Sequence, residues 1–156
     1  MSDADRLADE LSRRWYELGS MLRSRRLLAS LHAGEAAKLT PTTLRALDVL
    51  GRDGGLRVGE LAERVGVDET TATRLADRLE RAGVAARRSV VSDRRATEVA
   101  LTGLGERMAR AAARERLRFF VDVLSALDPE EREELVRLTA KASEALRATS
   151  RELIAR

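Results

Sequence analysis

Hydrophobic residues recur at helical spacing near both ends of the chain. Between residues 3 and 31 they fall three, four or six positions apart, at Leu7, Leu11, Trp15, Leu18, Leu22 and Leu28. From residue 102 to about 126 a similar period appears at Leu104, Met108, Ala112, Leu117, Phe120 and Leu124. After Asp128 and Pro129, which predict a helix start, it appears at Leu135, Leu138, Ala142, Leu146 and Leu153. This spacing predicts three long amphipathic helices.

The middle of the chain has shorter helical patterns separated by glycines. The run LTPTTLRALDVL predicts a second helix, because Thr40 is a suitable N-cap and Pro41 fits the first helical position. The glycines of GRDGG, at residues 51–55, predict the end of that helix.

Residues 57–83 have the pattern of a helix-turn-helix. Asp68 is a suitable cap for its second helix, and Gly83 is suited to end it. The motif needs a small residue where the helices approach, a glycine at the turn and two apolar residues that lock the second helix, here Ala62, Gly66, Ala72 and Leu75. Leu61, Val65 and Leu79 complete the apolar faces. Taken alone, the segment is also compatible with an ordinary helical hairpin.

A predicted β-hairpin follows directly. The alternation at Thr97, Val99 and Leu101 is typical of a half-buried strand, and the turn VSDRR carries Arg94 and Arg95 at its tip. A helix-turn-helix followed by such a hairpin is a winged helix. In that fold the second helix lies in the major groove of DNA. The wing reaches the adjacent minor groove, whose negative potential attracts arginine.

Positive charge is concentrated in this middle part of the chain. The whole protein has a formal net charge of +3. Residues 70–95 alone contain three acids and seven arginines, at Arg74, Arg78, Arg81, Arg87, Arg88, Arg94 and Arg95. This local excess of four positive charges is the electrostatic footprint expected for binding to a polyanion. Double-stranded DNA is therefore the predicted partner.

Composition argues against several other classes of protein. The absence of cysteine excludes disulfides and thiolate chemistry, and a single histidine, His32, cannot form a zinc site. With no catalytic triad and no complete nucleotide-binding motif, we predict neither an enzyme nor a cofactor or metal. No apolar run approaches the roughly 20 residues of a membrane span, and the acidic N-terminus is not a secretory signal. We therefore expect a cytoplasmic protein with no membrane partner.

Two stretches resemble the MarR family of transcriptional regulators. TATRLADRLERAGVAARR, at residues 71–88, is similar to that family's DNA-recognition helix and first wing strand. DRRATEVALT, at residues 93–102, fits its wing signature of Asp-x-Arg, five further residues and Leu-Thr, with Asp93, Arg95, Leu101 and Thr102 in place. LTPTTLRALDVL is similar to the usual second helix, and the order of elements agrees over essentially the whole chain.

The resemblance implies a mainly α fold with a small β wing: a winged helix-turn-helix lobe plus long N- and C-terminal dimerisation helices. Residues 1–156 would form a single domain. Its dimerisation helices would lie in residues 1–35 and 103–156, and its DNA-binding lobe in 40–102, with the helix-turn-helix at 57–83 and the wing at 84–102.

The resemblance also implies how the protein works. We expect a homodimer that binds a pseudo-palindromic operator as a repressor and is released by a small aromatic or lipophilic effector. The apolar stripes of the terminal helices support a dimer, because a chain of this length cannot cover them alone. The residues themselves do not distinguish repression from activation. The alternative is a winged-helix module that binds proteins without sequence-specific DNA binding.

Candidate DNA-binding residues follow from the resemblance and from helix position. Arg95 would enter the minor groove, held by Asp93, while Arg94 would contact phosphate. The first turns of the recognition helix would reach base edges through Thr70, Thr71, Thr73 and Arg74. Arg78 and Arg87 would contact the DNA backbone.

The candidate effector pocket is less defined. Aromatic residues and the single histidine could surround a flat ligand, at Trp15, Tyr16, His32 and Phe120. The alternative is that these side chains pack in the dimer interface.

Overall fold

The computed structural model describes residues 2–24, 26, 27, 30, 39–90 and 93–154, with the backbone alone at residues 90, 93–96 and 154. Its elements are α1 (Asp3–Leu22), α2 (Pro41–Asp53), α3 (Val58–Val65), α4 (Glu69–Arg81), β1 (Ala85–Val90), β2 (Asp93–Leu101), α5 (Gly103–Ser125) and α6 (Pro129–Ile154). This order is mainly helical with one two-stranded antiparallel sheet, as the sequence predicts. Among the described residues, no helix is long and apolar enough to cross a membrane.

The first helix is shorter than predicted. We expected one helix to about residue 31, but α1 ends at Leu22 and is followed by the C-cap residue Arg23. Ser24 then accepts a hydrogen bond from the backbone N–H of Leu27 at 3.2 Å, as an N-cap residue does. Residues 26 and 27 are helical again, so the long helix is interrupted at residues 23 and 24.

The second helix ends within the run GRDGG, as predicted. It continues through Gly51 to Asp53 and is followed by the C-cap residue Gly54, which has a φ of 84°. A β-carbon on Gly51 would lie 2.6 Å from that of Ala109, so this glycine permits close packing of α2 against α5 rather than ending the helix. The predicted start is confirmed, since Thr40 accepts from the N–H of Thr43 at 3.3 Å.

The helix-turn-helix forms as predicted. Gly66, with φ 73° and ψ 47°, ends α3 in the left-handed region, which a glycine adopts without a steric penalty. Asp68 caps α4, and Gly83, with a φ of 70°, follows the C-cap residue Ala82. The predicted apolar residues of α3 and α4 are buried, together with Ala76. They are part of the buried apolar core, which also includes Leu47, Val84 and Val99.

The chain divides into two compact units, residues 1–116 and 117–156. In unit 1, the start of α5 buries Gly105, Ala109 and Ala112. Leu104, which was expected to point inward, is 40% exposed. The buried positions are small residues because the helix backbone approaches the lobe closely there. Met108, also predicted to point inward, is partly buried and packs against the core.

The apolar stripes at both ends of the chain remain exposed. No described residue of α1 or α6 is buried. Leu117 and Phe120 in α5, predicted to point inward, are 66% and 44% exposed. The helix start at residue 128 is confirmed, since Asp128 accepts from the N–H of Glu131 at 2.9 Å and donates its own N–H to the Glu131 carboxylate at 3.0 Å.

Candidate nucleic-acid interface

Helix α4 is amphipathic. Its buried side is formed by Ala72, Leu75, Ala76 and Leu79. Its exposed side carries hydroxyl groups in the first turns and guanidinium groups further along, at Thr70, Thr73, Arg74, Arg78 and Arg81. The lobe thus fixes α4 by its apolar side and presents hydrogen-bond donors to the outside. These are the groups that read base edges and bind phosphates.

The start of α4 is held by Asp68. Its carboxylate accepts from the N–H of Thr71 at 2.8 Å and from the Thr71 hydroxyl at 2.6 Å. These bonds from Thr71 hold the pKa of the Asp68 carboxyl below its usual value. Because its hydroxyl donates to Asp68, Thr71 serves helix capping in this structure, and its predicted base contact stays a prediction.

The other threonines of the first turns differ in what their hydroxyls do. The hydroxyl of Thr73 donates to the carbonyl of Glu69 at 2.9 Å, which leaves its oxygen as an acceptor toward the exterior. Thr70 is exposed, and its hydroxyl makes no hydrogen bond within the described part of the chain.

Two arginines of α4 are exposed and available. Neither Arg74 nor Arg78 forms an ion pair with any residue that the structure describes. They lie four positions apart, on the same side of the helix as Thr70. A guanidinium with uncommitted donors can bind a guanine edge bidentately or pair with phosphate. The structure is therefore compatible with their predicted roles.

Arg87 is in a different situation. Its guanidinium donates to Asp77 Oδ1 at 2.8 Å and is also bonded to the Glu80 carboxylate. Its backbone N–H donates to Glu80 Oε1 at 2.8 Å. The hydrogen bond with Asp77, together with the charges of both acids, raises the pKa of the guanidinium further above its usual value. The predicted phosphate contact of Arg87 would have to compete with these two carboxylates.

The far end of the wing differs from the prediction. Pairing joins Ser89 to Thr97 and then Val90 to Asp93, so the irregular stretch at residues 94–96 lies between two paired positions. Arg94 and Arg95 are thus in strand β2 and not in a turn. The predicted turn over residues 91–95 was too long because strand pairing continues to Asp93. Such irregularities twist a strand locally and re-aim its residues.

The root of the wing is tied to the helices. Thr102 donates its hydroxyl to the Gly83 carbonyl at 2.8 Å and its N–H to the Val84 carbonyl at 3.0 Å. Val99 pairs with Leu56, the residue that precedes the N-cap of α3, as well as with Arg87. The base of the hairpin is therefore also held by an isolated β-bridge to Leu56.

The predicted effector residues are not brought together by the described contacts. Trp15 and Tyr16 are exposed on α1, at 47% and 76%. Phe120 lies edge-on to Phe119 at a ring-centroid distance of 5.2 Å. His32 lies outside the described residues. Their assignment to an effector pocket stays a prediction.

Sequence reasoning missed a cleft of about 560 Å³ between the end of α1, the start of α2 and the turn of the helix-turn-helix. Its lining combines apolar and charged side chains, among them Leu22, Arg23, Leu44, Arg45, Asp48 and Val67. Its volume is within the range of small-molecule sites. No pattern along the sequence indicates it, because its residues come from three separate segments.

The arrangement of α3, α4 and the β-hairpin is that of a winged helix-turn-helix protein. Similarity to known proteins identifies the family. The sequence model of the MarR family matches residues 39–97. The HTH-type transcriptional repressor MdtR of Bacillus subtilis is 34% identical over 115 residues, 74% of this chain and 74% of that protein. The uncharacterized HTH-type transcriptional regulator YcgE of Bacillus subtilis is 37% identical over 86 residues, 55% of this chain and 56% of that protein.

Solved structures agree with this assignment. A MarR family protein from Bacillus stearothermophilus superposes with a TM-score of 0.77 at 28% identity, over 94% of this chain and 98% of that one. Streptococcus pneumoniae FabT, in complex with DNA, has the same fold, with a TM-score of 0.69 at 18% identity over 94% of this chain and 99% of that one. The chain belongs to the MarR family and is a transcriptional regulator with a DNA-binding helix-turn-helix.

Proposed function

We propose that the protein is a homodimeric repressor that binds a two-fold operator and is released by a small-molecule effector. The observation that supports operator binding best is the exposed side of α4. That side presents Thr70, Thr73 and two arginines without ion pairs among the described residues, Arg74 and Arg78. The opposite side of the helix is buried in the core of the lobe. The repressor role is carried over from MdtR, which is named as a repressor.

In this proposal the recognition helix enters the major groove and the wing follows the adjacent minor groove. Arg74 reads a base, Arg78 binds phosphate, and Arg94 and Arg95 act from the wing. The positive charge of the segment drives association with DNA.

Dimerisation is supported by the exposed apolar residues of the terminal helices. Five large apolar side chains of α1 are between 45% and 59% exposed, at Leu7, Leu11, Trp15, Leu18 and Leu22. In α6, Leu135, Leu138 and Leu146 are between 43% and 48% exposed. Contiguous apolar surface of this kind marks an interaction site, and a second copy offers the matching stripes.

Selection of bound duplexes from a random pool tests operator binding. We expect a two-fold sequence whose half-sites are about 34–36 Å apart, one helical turn. With 6–10 phosphates neutralised, affinity should fall by roughly 10³–10⁵ between 50 and 200 mM salt. Salt-independent binding, or no selected sequence, would favour a protein-binding winged helix instead.

For the effector we propose a small aromatic acid or similar lipophilic compound in the cleft at the start of α2. The cleft lies against both α1 and the turn before the recognition helix, so an occupant would contact both. Arg23 and Arg45 offer positive charge to a carboxylate. A ligand releases DNA only if it binds the DNA-incompetent arrangement more tightly.

A screen of aromatic acids against operator binding tests this site, with Arg45→Gln as the variant. We expect at least one compound to weaken binding by the parent protein and to lose its effect on the variant. Because the chain has no cysteine, moderate hydrogen peroxide should leave operator binding intact. A compound that acts equally on both proteins would place the effector elsewhere.

A further inference from the structure

One arginine joins the wing to the recognition helix in this structure. Arg87 in β1 uses both its guanidinium and its backbone N–H, and both bond to acids of α4, Asp77 and Glu80. These partners lie ten and seven positions earlier in the chain. The side chain of Arg87 is 32% exposed, against 62% for its neighbour Arg88, whose partner Glu98 lies within the hairpin.

We propose that Asp77, Glu80 and Arg87 form a clamp that sets the position of the wing relative to the recognition helix. The three are positioning residues for DNA binding, since Arg87 acts by holding the hairpin and not by contacting phosphate. The clamp rests on the proposed function, because it matters only if helix and wing bind one operator together.

The place of the clamp along the hairpin explains its effect. Thr102 fixes the root of the wing, and Val99 joins it to Leu56. Arg87 is the β1 partner of Val99, so the clamp lies where this support ends. Beyond it, the described pairs join only β1 to β2, and an isolated two-stranded hairpin is marginally stable.

A small rotation at the clamp becomes a large displacement at the far end. From Arg87 to Val90 the strand extends about 10 Å, at roughly 3.3 Å per residue. A tilt of about 10° there would move the end of the wing by almost 2 Å, by the same geometry. That shift is enough to break a hydrogen bond between the wing and a groove.

Charge provides a discriminating test. The clamp holds two carboxylates and one guanidinium, so its net charge is negative beside a surface proposed to bind DNA. If these acids acted only through charge, removing one would strengthen DNA binding. If they hold the wing, removing one weakens binding although the protein becomes more positive. The two explanations therefore predict opposite signs.

Operator affinity of Glu80→Ala, measured by fluorescence anisotropy, decides between them. Alanine keeps the helix and removes the carboxylate that accepts the backbone N–H and one of the two guanidinium bonds of Arg87, while Asp77 still accepts the other. We expect affinity to fall by roughly 2- to 100-fold, the range of couplings within one ion-pair network. The control is Glu63→Ala, which removes an exposed acid of α3 that has no ion pair within the described residues and should leave affinity equal or slightly higher. Unchanged or tighter binding by Glu80→Ala overturns the clamp.

Arg87→Ala and the double variant Glu80→Ala with Arg87→Ala add a second readout. The clamp predicts that the double variant has about the same operator affinity as whichever single variant binds the operator more weakly. It also predicts that the salt dependence of operator affinity is the same in the variants as in the parent protein. A phosphate contact by Arg87 predicts additive effects of opposite sign and a salt slope smaller by about 0.9 for each phosphate that is no longer neutralised. Additivity with a reduced slope overturns the clamp.

Two controls keep the result interpretable. Thermal melting followed by circular dichroism checks that the lobe is folded. If Glu80→Ala is unfolded, Asp77→Asn is measured in its place, and we expect the same weakening of operator binding. If the parent protein binds no duplex, the proposed function fails and the clamp with it. If the parent binds and the variants match it, the clamp alone is overturned.

Discussion

The winged-helix lobe and the terminal helices differ in the burial of their apolar side chains. In the lobe, Leu47, Leu61 and Leu79 are completely buried, although α3 is only eight residues long. Helix α6 is 26 residues long, and none of its described residues is buried. Length alone therefore does not provide a core. The lobe buries its own apolar residues, whereas the long helices leave theirs exposed, which is the observation behind the proposed dimer.

The ion pairs show the same division. In α1 and α6 the described pairs are local, three or four residues apart, such as Arg14 with Glu10 and Arg137 with Glu134. In unit 1, several pairs outside α1 join different elements, such as Arg87 with Asp77. Arg116 and Asp48, which also pair, are 68 positions apart in the chain. Local pairs support a helix without fixing its surroundings. Long-range pairs fix tertiary geometry, which a DNA-reading lobe needs.

The largest expected effect comes from the apolar stripe of α6. Leu138→Asp with Leu146→Asp should give a monomer in sedimentation, because two buried carboxylates oppose association. Operator affinity should then fall by about 10²- to 10⁴-fold, since the second half-site loses its tethered partner. Ala140→Asp with Ala148→Asp adds the same charge at the same spacing on the opposite side of the helix and should leave the dimer intact. A dimeric leucine variant would contradict the assignment of this stripe.

Next in size is a cavity in the lobe. Leu47→Ala removes a side chain that is 0% exposed and should lower the free energy of unfolding by about 2–5 kcal/mol, measured in urea. Leu135→Ala in α6, at 43% exposure, should cost far less when the protein is dilute enough to be monomeric. Equal losses in the free energy of unfolding would contradict the distinction between a buried core in the lobe and an exposed stripe on α6.

Arg74→Ala tests the lobe without disturbing either core. It should weaken operator binding by about 1–3 kcal/mol if the guanidinium reads a base bidentately. Measurement on operator and on random duplex separates the roles. Equal loss on both would show a phosphate contact in place of base reading.

Arg95→Ala should have a smaller effect, roughly ten-fold, or about 1.4 kcal/mol in binding free energy. In the proposed complex the wing contributes one minor-groove arginine per lobe, whereas α4 contributes several groups. Arg107→Ala, an exposed arginine at the start of α5, is the control and should bind nearly as the parent does. An equal loss in both variants would assign Arg95 no more than general electrostatic attraction.

The smallest effect is the pH dependence of the α4 cap. Bonds from Thr71 lower the pKa of Asp68 below its usual value of 3.8, so its stabilising contribution is fully present above that value. It is lost as pH falls through the lowered pKa. The melting temperature of the parent should therefore approach that of Asp68→Asn at a pH below the lowered pKa and exceed it near neutrality. A difference independent of pH would show that the carboxylate charge has no role.

Local chemistry made much of the fold predictable. Caps and glycines act within a few residues, so Thr40, Gly66, Asp68 and Asp128 marked their helix ends correctly. Within GRDGG, Gly54 ends the helix, whereas Gly51 packs closely against Ala109, a contact between residues far apart in sequence that no local pattern indicates.

The candidate site was predictable in outline only. The exposed face of α4 follows from helical periodicity, which places Arg74 and Arg78 together. The partners of Arg87 do not, because its bonds to Asp77 and Glu80 depend on how the chain turns at Gly83 and on the angle at which β1 leaves the helix. Side-chain partners across such a turn are a property of tertiary structure.

Gly105 gives α5 a fixed rotational setting. A β-carbon there would lie 1.9 Å from the Val84 carbonyl oxygen, so the first turn of α5 touches the root of the wing backbone to backbone. If α5 rotated about its axis by one residue, the side chain of Leu104 or Glu106 would clash with that carbonyl. The contact of Gly105 with Val84 therefore fixes the rotation of the first turn of α5 about its own axis against the winged-helix lobe.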